Sequence, residues 1–244
     1  MSATTAVLES EAAVRRWAAP VTAAAAVLSF VGAIVGQIAL AKQPSNTPAS
    51  YVFLNDHVTT LSLAAVVNGI GLALSGLSLF VLLQAVKVRR PAMPATIFRV
   101  LVVLGAVCAP IGGVLGWVAT GIGAGDFVST GGQTYQQAKD LFPTTFQYVA
   151  SIVQFVGAFG LGASLAVLSF NALRVGLLPR FTGYVGIFAG IFLVIPIIPV
   201  PIILCFWLGA LAALYGGRWP GGQPPAWETG KAEPWPSPGG GARG

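Results

Sequence analysis

The chain has 244 residues, 55% hydrophobic and only 8% charged, with a net charge of +6 and a mean hydropathy of +0.81. A soluble domain carries about 25% charged residues, so the composition excludes an ordinary soluble fold and points to an integral membrane protein. The basic residues sit at the ends of apolar runs and form no single patch, which argues against nucleic acid and for anionic lipid headgroups as partners.

A membrane-spanning helix needs about 20 apolar residues. Residues 1–19 read as a cytoplasmic segment containing Arg15-Arg16-Trp17, and the first span runs from Pro20 to Leu40. The arginine pair, the apolar run and Ala39-Leu40-Ala41 resemble a cleavable signal peptide, but the run exceeds the roughly 7–15 residues of such a segment, so an uncleaved span is expected. An outer loop, Lys42 to Thr60, follows, in which Asn55 or Asp56 would cap the second span, Leu61 to Val86. The basic turn from Lys87 to Pro94 leads to the third span, Ile97 to Ile122. A second outer loop, Gly123 to Gln147, contains a candidate interfacial helix from Thr134 ended by Pro143. The fourth span is Tyr148 to Leu173, followed by an inner turn to Arg180.

The last apolar stretch, Leu177 to Gly216, holds Pro196, Pro199 and Pro201 near its middle. It is either a hairpin of two spans or one broken passage. With the hairpin, Arg15, Arg16, Lys87, Arg89, Arg90, Arg99, Arg174, Arg180, Arg218, Lys231 and Arg243 fall on one side, and Lys42 and Lys139 on the other. The broken passage would move Arg218, Lys231 and Arg243 across. Basic residues are retained on the cytoplasmic face, so the more one-sided split selects the hairpin. The expected fold is an all-α polytopic transmembrane bundle of six spans over residues 20–216, with both termini inside. Arg89, Arg90 and Arg180 are then expected at inner lipid headgroups.

Residues 217–244 are rich in Pro and Gly and carry Trp219, Trp227 and Trp235 at intervals of eight. Such a segment cannot build a core and is expected to be extended or disordered. Its tryptophans would lie along the inner interface or dock on a partner protein.

Small residues recur four apart at Gly32 and Gly36, Gly112 and Gly116, Gly186 and Gly190, and Gly209 and Ala213. Each pair smooths one helix face, for packing within the bundle or for homo-oligomerisation. No inverted repeat relates residues 20–122 to 148–216. Among the few polar residues within spans, Gln37, Asn68, Thr120 and Gln154 share a similar outward depth. They are either interhelical hydrogen-bonding glue or the lining of a small polar cavity opening outward, with Asp56, His57 and Asp126 as its rim.

No Asp or Glu falls within a span, which disfavours proton or sodium coupling. One histidine cannot ligate a haem from both sides. Cys108 and Cys205 read as small buried apolar residues without metal-ligand spacing. There is no H-E-x-x-H, G-x-S-x-G or phosphate-binding glycine loop. No catalytic residue, metal or cofactor is therefore expected.

The stretch Asn171-Ala-Leu-Arg-Val-Gly-Leu-Leu-Pro-Arg-Phe-Thr-Gly-Tyr-Val-Gly-Ile resembles a G-L-L-P-R-[WF]-x-G inner turn of uncharacterised bacterial multi-span proteins. The ending, with Phe206-Trp207-Leu-Gly and Gly217-Arg-Trp-Pro-Gly-Gly-Gln-Pro-Pro-Ala-Trp-Glu, is similar to multi-span membrane proteins of high-GC actinobacteria. The resemblance, over roughly residues 171–235, implies a multi-pass protein of the bacterial cytoplasmic (inner) membrane and no particular activity. The leading functional expectation is a structural or accessory protein whose tail binds a partner or the interface. The alternative is a passive transporter or channel for a small neutral solute, and a membrane enzyme ranks third.

Overall fold

A computed structural model describes residues 3–195 and 200–235. Its elements are all helical: α1 (Ala3–Leu40), α2 (Thr47–Arg89), α3 (Ala95–Ser129), α4 (Tyr135–Leu141), α5 (Thr145–Arg174), α6 (Arg180–Val194), α7 (Val200–Tyr215) and α8 (Pro225–Thr229). α1, α2, α3 and α5 are long and apolar enough to cross a membrane, whereas α6 and α7 are shorter apolar helices. The 15 residues of α6 rise about 22 Å, less than the roughly 30 Å of a hydrocarbon core. Large apolar side chains such as Ile38, Leu63, Ile152 and Phe155 stand exposed on the outer faces of the long helices. Apolar surface of this extent belongs against lipid, so the chain is an integral membrane protein.

The helices stop where the sequence removes backbone bonding or favours a tight reversal. Pro91 and Pro94 separate α2 from α3. Gly131 and Gly132, both with positive φ, follow α3. Gly176, at φ +78°, ends α5 ahead of Pro179, which starts α6. Two boundaries differ from the sequence reading. α1 runs unbroken through Pro20 from well inside the expected cytoplasmic segment. α2 begins at Thr47, so most of the expected loop from Lys42 to Thr60 is helical, and Asn46 rather than Asn55 or Asp56 occupies the N-cap position. No breaker interrupts residues 49–60, and Leu54 is buried with Leu61 and Ala124.

The six larger apolar helices close into a ring. α1 packs on α2 and α7, α2 on α3, α3 on α5, α5 on α6, and α6 on α7. Glycines permit the closest crossings. A Cβ at Gly32 would lie 2.4 Å from the Asn68 backbone nitrogen, and one at Gly157 would lie 2.0 Å from that of Ala109. Of the small-residue pairs, Gly32, Gly112, Gly186 and Gly190 stand at such crossings, whereas Gly116 and Gly209 meet nothing within 4 Å.

The basic segments converge at one end, called the basic end below. Arg89 bonds Glu11, Arg90 bonds Asn171, Arg15 bonds Gln223 and Arg99 reaches Gln84. α6 leaves this end and α7 returns to it, since Tyr215 donates to the Ser78 carbonyl. Pro196 and Pro199, expected at the hairpin turn, and Arg243 lie outside the described residues.

The core is concentrated toward the basic end, where Leu79, Leu82, Leu165, Leu168, Trp207 and Leu208 are all buried. Arg89 is part of this interior, with its side chain fully buried against Glu11. The expectation of a headgroup contact is corrected for Arg89, because that carboxylate and nearby carbonyls saturate its guanidinium. Arg90 and Arg180 are exposed. The expectation of a disordered tail is also corrected over residues 217–235. This segment folds back, forms α8 and buries Trp227 at 4% exposure, while Trp219 and Trp235 are half-buried. Composition describes what the tail lacks on its own, but the bundle supplies the apolar seat.

The packing separates two kinds of glycine. Gly157→Ala forces Cβ into the α3 backbone and should cost about 1–3 kcal/mol, lowering the melting temperature of the detergent-purified protein. Gly116→Ala enters open space and should leave the melting temperature unchanged or higher.

Candidate functional site

In the half of the bundle away from the basic end, a cavity of about 800 Å³ lies among α1, α2, α3 and α5. Each of those helices contributes one of the four polar residues singled out by depth: Gln37 from α1, Asn68 from α2, Thr120 from α3 and Gln154 from α5. Thr120 is engaged, with its hydroxyl donating to the Gly116 carbonyl at 2.8 Å and accepting from the Gln147 amide at 3.2 Å. The side chains of Gln37, Asn68 and Gln154 make no hydrogen bond among the described residues.

Those three amides decide the character of the site. Each carries two N–H donors and a carbonyl with two lone pairs. In an apolar medium an unpaired amide costs on the order of 2–7 kcal/mol; Gln37 and Gln154 are exposed and Asn68 is half-buried, so all three suit a cavity that admits water or a polar guest. The lining contains no Asp, Glu, Lys, Arg or His, so nothing there complements a net charge on a guest.

The helix crossings position these groups. Gly112 of α3 brings its backbone onto that of α5 at Gln154. In the same region Gly113 and Gly116 leave open space beside the amides. Pro110 lines the cavity and crosses α2 at Gly69, and its missing N–H removes one rung of α3.

The wall toward the basic end is apolar. Leu72, Leu79, Leu161, Leu165, Trp207 and Leu208 surround a void of only about 10 Å³, room for about one water at most. The cavity is therefore closed on that side.

Its opposite margin is built by residues that sequence reasoning did not select: Gln43, Tyr51, Phe142, Pro143 and Gln147. Tyr51 and Phe142 stack with ring centroids 3.8 Å apart, which ties the loop after α4 to α2. Gln147 closes a capping box with Thr144 at the start of α5. The Thr-x-x-Gln spacing was the available signal for that residue. The expected rim is corrected. Asp56 and Asp126 are exposed and do not line the cavity, and neither does His57. His57 stacks on Phe53 with its Nδ1 2.9 Å from the Phe53 carbonyl oxygen. Because α2 already runs through this region, Asp56 lies about 200° around the helix from cavity-lining Leu54.

Cys108 and Cys205 are free thiols of intermediate exposure. Among the described residues no group of three or more His, Cys, Asp or Glu is arranged to hold a metal. The geometry defines a class: a helical membrane protein with an uncharged, amide-bearing cavity closed toward its basic end. The chain matches no family model, no curated protein and no solved structure.

The unpaired amides imply a wet cavity, and a thiol reacts as a thiolate that water must solvate. With Cys108 and Cys205 replaced by Ala, Asn68→Cys and Gly116→Cys in lipid nanodiscs should react with a water-soluble maleimide at least about tenfold faster than Ile111→Cys on the lipid-facing surface. Equal rates at the three positions would contradict a hydrated interior.

Proposed function

We propose that this protein is a six-span bacterial inner-membrane carrier for small, neutral, polar solutes, with both termini cytoplasmic and the cavity opening outward. The observation that carries the reading is the set of three unpartnered amides on three different helices, lining one uncharged cavity. Amides offer both donors and acceptors, so they suit hydroxyl, carbonyl and amide groups on a solute. The absence of Asp, Glu, Lys, Arg and His from the lining fits passive movement down a gradient, since coupling to protons or sodium relies on such groups.

The topology in this reading rests on the one-sided distribution of basic residues, which places the basic end in the cytoplasm. The antiparallel course of α6 and α7 supports two passages there. The bacterial inner membrane is what the resemblance to actinobacterial multi-span proteins implies. A structural protein recruiting a partner through its tail is less well supported, because Trp227 is already seated on its own bundle. In this reading the apolar wall makes the protein an outward-open carrier at rest rather than a continuous channel.

Liposomes containing the purified protein, shrunk by a step of glycerol or urea and followed by light scattering, should re-swell faster than protein-free liposomes. Gly116→Leu adds bulk at a position where a Cβ meets nothing within 4 Å and should slow re-swelling toward the protein-free rate. Asn68→Leu with Gln154→Leu removes hydrogen bonds worth about 1 kcal/mol each and should slow it by roughly an order of magnitude. Identical rates for wild type, both variants and protein-free liposomes would sink the carrier reading for these solutes.

A further inference from the structure

The tail is attached to the ring at more points than its composition suggests. Two guanidinium groups stand over the Trp227 ring, with Arg15 Cζ 4.8 Å and Arg89 Cζ 5.2 Å from its centroid. Its indole N–H donates to the Leu177 carbonyl at 3.1 Å, and its edge meets Tyr215 in a T-shaped pair at 6.1 Å. Arg89 is held on one side by both carboxylate oxygens of Glu11 at 2.7 Å. On the other, its Nε and Nη2 donate to the Ala226 carbonyl at 3.1 and 2.6 Å. Arg15 donates to Gln223 Oε1 at 2.9 Å, and the Glu233 N–H donates to the Val175 carbonyl at 3.1 Å. The tail thus bonds α1, α2 and the α5–α6 turn while continuing covalently from α7.

We propose that residues 217–235 are a latch that seals the cytoplasmic end of the bundle, and that this end opens when Trp227 leaves its seat. Three features make the segment a latch rather than one more packed element. It joins α7 through Gly216 and Gly217, the latter at φ +66°, and turns again at Gly222 at φ +84°, so its exit from the ring is not fixed by helix. It has too little apolar content to stay folded when undocked, so its states are docked or extended. Lifting it strips the Ala226 carbonyl from a buried arginine, and losing a partner of a buried charge is costly, so a half-released tail is disfavoured. Behind Tyr215, whose ring meets Trp227, lies Ser78, 1% exposed, whose carbonyl accepts from the Tyr215 hydroxyl and whose hydroxyl accepts from Thr22. Only the assignment of this end to the cytoplasm rests on the proposed function; the seal itself does not require a transported solute.

Ser78→Cys, nearly isosteric, reports on the seal in a chain with Cys108→Ala and Cys205→Ala. In inside-out membrane vesicles an impermeant maleimide should label it slowly with the native tail. Trp227→Ala should accelerate labelling by about tenfold or more, while Trp227→Phe, which keeps the ring but loses the indole N–H, should fall between the two. Gly116→Cys in nanodiscs should label at the same rate whether the tail is native or carries Trp227→Ala, showing that the bundle stays intact. Unchanged Ser78→Cys labelling in the Trp227→Ala chain would overturn the proposal. So would a parallel rise at Gly116→Cys with loss of a monodisperse protein, which would make the tail a general folding element. A positive result here beside a negative swelling experiment would keep the latch and remove the carrier.

Discussion

Trp207 and the leucines around it fill the interior of this ring at its basic end, whereas a cavity of about 800 Å³ occupies the other. That asymmetry is the constraint on which the remaining structure depends. Six helices can enclose space at their centre, and side chains must occupy it or leave a void. Trp207 is fully buried and satisfies its indole N–H on the Thr182 carbonyl at 3.1 Å, so it fills volume without leaving a polar orphan. Away from it, Gly36, Gly113 and Gly116 line the interior where larger residues would close it. The hollow half is written into the choice of small residues as much as the solid half is written into leucine.

Polarity follows the same division. In the solid half the large buried polar side chains are paired within the chain, Arg89 with Glu11 and Ala226, Tyr215 with Ser78, and Trp227 with Leu177, while the small hydroxyls of Ser164, Ser169 and Thr182 have no partner among the described residues. In the hollow half three amides have no protein partner among the described residues. A membrane offers no water to relieve such groups unless a cavity admits it. The two halves therefore suit different tasks, one maintaining a seal and the other receiving a polar guest. The tail belongs to the sealed half, since it contacts the helix ends that enclose the packed core.

Some of this arrangement was legible in the sequence, and for physical reasons. Amides are rare in apolar runs, so counting residues from the span ends placed Gln37, Asn68, Thr120 and Gln154 at one depth. Depth alone could not separate glue from cavity lining, because that depends on how far each helix is rotated and how closely its neighbour approaches. The approach at Gly112 against Gln154 is set by tertiary packing. The rim falls elsewhere because the polar residues after Asn46 suggest a loop, whereas nothing in residues 49–60 breaks a helix and α2 runs through them. Arg89 looked like its neighbours Lys87 and Arg90. Its burial depends on Glu11, 78 positions away, and on a tail whose own composition suggests disorder. Trp227 stands out by its spacing, but its seat is assembled from α1, α2, α7 and the α5–α6 turn, which no local pattern reveals.

The most direct test of the central claim, that the three amides face a polar occupant, is an experimental density map of the full chain in lipid nanodiscs at a resolution that shows ordered waters. Discrete non-protein density within hydrogen-bonding distance of the Asn68 and Gln154 side chains, bounded toward the basic end by Leu72, is the expected result. A cavity collapsed so that Gln37, Asn68 and Gln154 bond to one another, or one filled by a continuous acyl chain, would contradict the account.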